Sequence, residues 1–146
     1  MTSRTRELLI NIDGASLGNP GAAGIGVVIC NERRKTLREI SEPIGTATNN
    51  VAEYTALIRA LEEAASLGKP NLTRLLIHTD SELLQRQCTG QYRVKAPALQ
   101  PLSQRAMSLL SFFAEARVLH VPREQNRRAD ELAGAAARKQ AGKVDG

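Results

Sequence analysis

The sequence predicts a mixed α/β domain, and three observations carry that prediction. Its first third holds three apolar, β-branched runs separated by turns. From Asn50 onward, helical periodicity alternates with two further strand-like runs. No repeat, low-complexity tract or linker divides the 146 residues, a length that suits a single core. The expected architecture is a five-stranded mixed sheet, an antiparallel meander and then parallel strands, flanked by helices.

Leu8–Asp13 (LLINID) reads as a strand closed by Asp13-Gly14, and Ser16–Gly24 as a Gly/Pro-rich loop. Ile25–Cys30 is a second strand, Asn31–Lys35 a polar turn and Thr36–Pro43 a third strand. Tyr54, Leu57, Ile58, Leu61 and Ala65 mark a helix that Gly68-Lys69-Pro70 stops. Arg74–Thr79 is a strand, Ser81–Cys88 a short helix, and Leu99 to Phe113 another amphipathic helix. Ala116–Val121 is the fifth strand, and Ala129, Leu132, Ala133 and Ala136 mark the last helix. A single domain over residues 1–146 is expected, with a core at about 7–140 and flexible tails at 1–6 and 141–146.

Composition narrows the function. Twenty Lys and Arg against fifteen Asp and Glu give a net charge of +5, which favours a polyanionic partner. Aromatics are only 3% with no Trp, which argues against base-stacking platforms of the single-strand-binding kind. Cys30 and Cys88 form no CxxC pair and read as free thiols suited to a reducing cytoplasm. No run is long enough for a signal-peptide core or a membrane span, so a cytoplasmic protein with no membrane contact is expected.

Four acids stand out by placement. Singly, each has a structural role: Asp13 as a turn former, Glu53 in an Asn50-x-x-Glu53 capping box, Asp80 at a helix N-cap, Asp130 in a first helical turn. Jointly they say more. Asp13 and Asp80 close two runs of matching pattern, LLINID and LLIHTD, and parallel pairing would put both carboxylates at one sheet edge. Glu53 and Asp130, near helix starts, can face that same edge. Clustered carboxylates raise each other's pKa unless divalent cations neutralise them. Oxygen ligands without a Cys/His cluster select Mg²⁺, with Mn²⁺ as substitute.

At these residues the chain resembles type 1 ribonuclease H. The family's blocks occur in order: Asp13-Gly14 leading to Gly18-Asn19-Pro20-Gly21; Thr48-Asn49-Asn50 followed by Glu53; Asp80-Ser81; and Asn126-x-x-x-Asp130-x-Leu132-Ala133. The resemblance implies a ribonuclease H-like fold and an endonuclease that cuts the RNA strand of RNA–DNA hybrids. Asp13, Glu53, Asp80 and Asp130 match the metal-binding catalytic carboxylates. Two Mg²⁺ ions are implied, one activating water and one at the leaving 3′ oxygen, with 5′-phosphate and 3′-hydroxyl products. Asn19, Asn49 and Asn50 match positions that read RNA 2′ hydroxyls in the minor groove, and amides have the required donor and acceptor groups. Thr48 matches a contact to a DNA-strand phosphate. The hybrid duplex is the implied partner, and no obligate protein partner is evident.

The chain departs from many relatives in two places. Gly90–Gln100 is too short for the basic protrusion that many bacterial members carry, which leaves Arg93 and Lys95 as replacement cations. The Val121–Asn126 connection lacks the histidine of the family's flexible loop and resembles archaeal and some bacterial relatives. By that resemblance Arg123 is an auxiliary cation near the scissile phosphate, while His120 reads as a strand histidine without such a role. Glu82 stands where many relatives place Gln.

Rival readings are weaker. Gly14-x-Ser16-x-Gly18 fits a serine-hydrolase elbow, with Ser16, Asp80 and His120 in the right order, but Asn19-Pro20-Gly21 precludes the helix that motif needs. The alternative of another class is a non-catalytic nucleic-acid-binding module of the same fold.

Overall fold

The computed structural model describes residues 5–144; residues 1–4 and 145–146, the outer parts of the two expected tails, lie outside them. The elements are β1 (Arg6–Ser16), β2 (Gly21–Cys30), β3 (Thr36–Ala47), α1 (Asn49–Ser66), β4 (Thr73–Thr79), α2 (Glu82–Cys88), α3 (Gln100–Leu110), β5 (Glu115–His120) and α4 (Arg127–Val144). Their order is the expected β-β-β-α-β-α-α-β-α. Short 3₁₀ turns at Pro70–Leu72 and Arg123–Gln125 lead into β4 and α4. Ordered structure therefore reaches slightly beyond the 7–140 core, since Arg6 is in a strand and α4 runs on to Val144.

The sheet order is β3-β2-β1-β4-β5. β1 and β2 are antiparallel, as are β2 and β3, whereas β4 runs parallel to both β1 and β5. Alternation along the strands decides what covers each face. Leu8, Ile10 and Ile12 of β1, Ile25, Val27 and Ile29 of β2, and Leu75 and Ile77 of β4 are buried with Tyr54, Leu57 and Leu61 of α1. Leu84 of α2, Ala106 and Leu109 of α3, and Val118 of β5 complete this aliphatic core.

The opposite face receives α4. Side chains added at Gly24 and Gly26 would strike Ala136, Ala137, Ala129 and Ala133, so these glycines and alanines bring helix and strand together almost backbone to backbone. That contact corrects the first turn. The stretch expected as a Ser16–Gly24 loop is mostly strand, with Ser16 opposite Ala23 and Ala15 opposite Gly24, and only residues 17–20 connect the two strands. Of its glycines, Gly24 serves the approach of α4, while Gly18 and Gly21 pack against each other across the turn. β3 likewise runs past Pro43 to Ala47. Pro43 pairs with Gly24 from an edge strand, where a missing N–H is tolerated.

Candidate active site

The parallel register of β1 and β4 pairs Ile12 with Thr79, so the next residue of each strand, Asp13 and Asp80, arrives at the same sheet edge. α1 supplies the third acid. Its N-cap is Thr48, whose hydroxyl accepts the Val51 N–H at 3.2 Å, so the Asn50–Glu53 capping box expected from sequence does not form. Glu53 is thereby released toward β1. Gly14 permits the approach: any Cβ there would overlap the Ala52 carbonyl carbon and the Glu53 nitrogen. One carboxylate oxygen each from Asp13, Glu53 and Asp80 lies within 4.8 Å of the others.

This trio is costly without a counter-charge. Asp13 is 4% exposed and Glu53 8%. Burial, and then the charges of Glu53 and Asp80, drive the Asp13 carboxyl far above the usual range. Glu53 is raised by burial and then by Asp80, against hydrogen bonds from Asp13 and the Gly14 amide. Asp80, raised by burial and then by Asp130, follows the same direction. Oε2 of Glu53 is buried with no hydrogen-bond partner among the described residues. An orphaned oxygen within an all-carboxylate cluster fits a hard divalent cation.

Asp130 lies outside the tightest trio but acts on it, hydrogen-bonding the Asp13 carboxyl and raising Asp80 by its charge. It comes from the first turn of α4 and lines the same groove of about 420 Å³ as Asp13 and Asp80, together with Ser16, Asn49, His120 and Arg123. Arg123 bridges to Asp130 at 3.4 Å from an exposed position. His120, read from sequence only as a strand histidine, is the exposed last residue of β5 and lines this groove. Asn126, read from sequence only as the first residue of the Asn-x-x-x-Asp block and given no role, is 1% exposed. Its amide donates to the Ile12 carbonyl at 2.9 Å and accepts from Asn11 at 3.0 Å.

The asparagines expected to read substrate form a linked rim. Asn19 accepts the Asn49 backbone N–H at 3.0 Å, and the Asn49 side chain accepts the Ser16 N–H at 3.1 Å. Each side-chain oxygen is thus occupied, leaving both NH₂ groups, on exposed residues, as donors with no partner among the described residues. Asn50 is exposed beside them on α1. The Ser16 hydroxyl engages the carbonyls of Ala47, at 2.7 Å, and of Gly18, which occupies the group a hydrolase would need as nucleophile.

Arg93 and Lys95 lie exposed between α2 and α3. Glu82 does not act as a bare charge near the site. It pairs with Arg86 at 2.8 Å, and that guanidinium stacks 5.2 Å from the Tyr92 ring centre.

A five-stranded sheet of this order with acids converging at the β1–β4 edge defines a ribonuclease H-like domain. Residues 11–136 match the family described as Reverse transcriptase-like. The chain is 44% identical over 124 residues to ribonuclease HI of Halobacterium salinarum, covering 85% of this chain and 61% of that protein. It is 42% identical over 128 residues to the bifunctional protein Rv2228c of Mycobacterium tuberculosis, covering 87% and 34% respectively. It thus spans under two thirds of either relative. Among solved structures, a compost-derived RNase H1 in complex with an RNA/DNA hybrid superposes with a TM-score of 0.86 at 44% identity, covering 90% of this chain and 97% of that one. The chain belongs to the type 1 ribonuclease H family. No helix among the described residues is long and apolar enough to cross a membrane.

Proposed function

We propose that this chain is an endonuclease that hydrolyses the RNA strand of RNA–DNA hybrids with divalent metal ions. The observation that carries the reading is the buried meeting of Asp13, Glu53 and Asp80 with an unpartnered Glu53 oxygen. Such a cluster is a liability to the fold and an asset only to a cation. Its relative's complex with an RNA/DNA hybrid supports the choice of substrate.

Asp13, Glu53 and Asp80, with Asp130 beside Asp13, would hold Mg²⁺ or Mn²⁺. A pair of such ions, when bound, supplies activation of water and charge neutralisation at the leaving 3′ oxygen, consistent with 5′-phosphate and 3′-hydroxyl products. The remaining work falls to the chain's own groups. The NH₂ groups of Asn19 and Asn49, with Asn50, donate to minor-groove acceptors and RNA 2′ hydroxyls. Thr48 orients the start of α1 beside the DNA strand. Arg123 offers a fixed guanidinium to phosphate oxygens from the groove wall. The net charge of +5 draws the duplex in. The two free thiols suit a reducing cytoplasmic setting.

The test is cleavage of labelled RNA–DNA hybrid, double-stranded RNA and double-stranded DNA in Mg²⁺, Mn²⁺ and chelator, with Asp13→Asn alongside. The expected result is metal-dependent cutting of the RNA strand in the hybrid alone, lost in the variant. Retained hybrid binding without cutting would identify a binding module instead.

A further inference from the structure

Two basic side chains line the acidic groove, and they differ in one respect. Arg123 is paired with Asp130 at 3.4 Å. His120 has no hydrogen-bond or ion-pair partner among the described residues, although it is exposed and faces a groove walled by Asp13, Asp80 and Asp130. Its position is fixed by the sheet. His120 is in register with Thr79, the residue before Asp80, and the next residue, Val121, donates its N–H to the Thr79 carbonyl at 2.9 Å. Neighbouring strands lie about 4.8 Å apart, so the imidazole sits roughly one strand spacing outward from the chain that carries Asp80. Pro122 then turns the chain away, so His120 is the last β5 side chain beside the groove.

An unengaged N–H donor at the rim of a groove built for a polyanion calls for an anionic oxygen. We propose that His120 is a substrate-contacting residue. Its ring N–H donates to a non-bridging oxygen of an RNA-strand phosphate next to the one that is cut. Imidazole keeps one N–H donor in its neutral form, so the contact does not require a charged ring. The neighbouring phosphate is favoured over the scissile one because Asp13, which lines the groove, is buried and clusters with the buried Glu53, whereas His120 is exposed. This inference rests on the nuclease reading above and adds a residue to the RNA-strand track.

The test compares the parent with His120→Ala and His120→Gln on hybrids carrying a single phosphorothioate at successive RNA-strand phosphates, at saturating Mg²⁺. His120→Ala should lower kcat/KM roughly tenfold, as loss of a hydrogen bond to a charged group does, and His120→Gln should restore part of it. Sulfur at one phosphate beside the cut should slow the parent more than His120→Ala. Two results overturn the proposal: unchanged kcat/KM in His120→Ala, or equal sensitivity of both proteins to sulfur at every position. A parent that cuts no hybrid removes the nuclease reading itself, whereas a parent that cuts and a His120→Ala that cuts equally well removes only this inference.

Discussion

Asn126 donates its side-chain N–H to the Ile12 carbonyl at 2.9 Å, tying the start of α4 to the strand residue that immediately precedes Asp13. Its own carbonyl accepts the Asp130 N–H at 3.0 Å. One buried residue thus links two acids from opposite ends of the chain, its side-chain amide reaching the residue before Asp13 and its backbone carbonyl holding Asp130. Asn126→Ala would leave the Ile12 carbonyl and the Asn11 amide unpaired, at a cost of about 1–3 kcal/mol. Denaturant unfolding should show that loss. A Mg²⁺ titration of activity should show a higher half-saturating concentration with little change in KM for the hybrid.

Asp13, Glu53 and Asp80 all hold protons more tightly when folded than when unfolded. Their contribution to stability is complete below the ordinary carboxylate pKa and is lost as pH rises through the raised folded-state values. Without metal, Tm should therefore fall between about pH 5 and about pH 9. Mg²⁺ or Mn²⁺ should flatten that fall, because cations bind the ionised cluster. A Tm that rises with pH in chelator would contradict the cluster's electrostatics.

Asp13→Asn removes from the trio a carboxyl that must stay protonated in the folded protein but ionises on unfolding. Activity should drop by roughly 10³-fold or more, while thermal stability in chelator at neutral pH should rise. The two readouts move in opposite directions, which separates a metal ligand from a structural acid.

Gly14→Ala places a methyl group against the Ala52 and Glu53 backbone. Separating β1 from α1 should cost about 1–3 kcal/mol of stability. A displacement of about 1 Å between Asp13 and Glu53 should lower kcat about 10²-fold. Steady-state kinetics beside an unfolding curve would measure both.

Arg86 shields Glu82, two residues beyond Asp80. Arg86→Ala should change stability by less than about 1 kcal/mol, since the pair is exposed. It should nonetheless raise KM for the hybrid about threefold or more by freeing an acid near phosphate. Glu82→Gln in the same chain should reverse the defect.

Much of this was legible in the sequence because it depends on local pattern. LLINID and LLIHTD announce parallel partners by their shared composition, and their terminal acids meet as that pairing requires. What escaped depends on long-range geometry. Gly24 looks like a loop residue until α4 is laid across it. Asn50-x-x-Glu53 looks like a capping box, yet Thr48 starts the helix one residue before its first turn and frees the acid for β1. His120 gave no sign of facing the groove, because that depends on where β5 ends relative to β4. Asn126 gave no sign of its burial, because its partners lie more than a hundred residues away.

The seat of α4 on Gly24 and Gly26 also governs how the site comes apart. Small side chains offer almost no rotamer changes to absorb strain, so the helix lacks a graded way to loosen. Warming or denaturant should detach α4 as one unit, carrying Asp130 away in a single all-or-none event. Amide exchange along Ala129–Ala137 and loss of the fourth acid should then report the same opening.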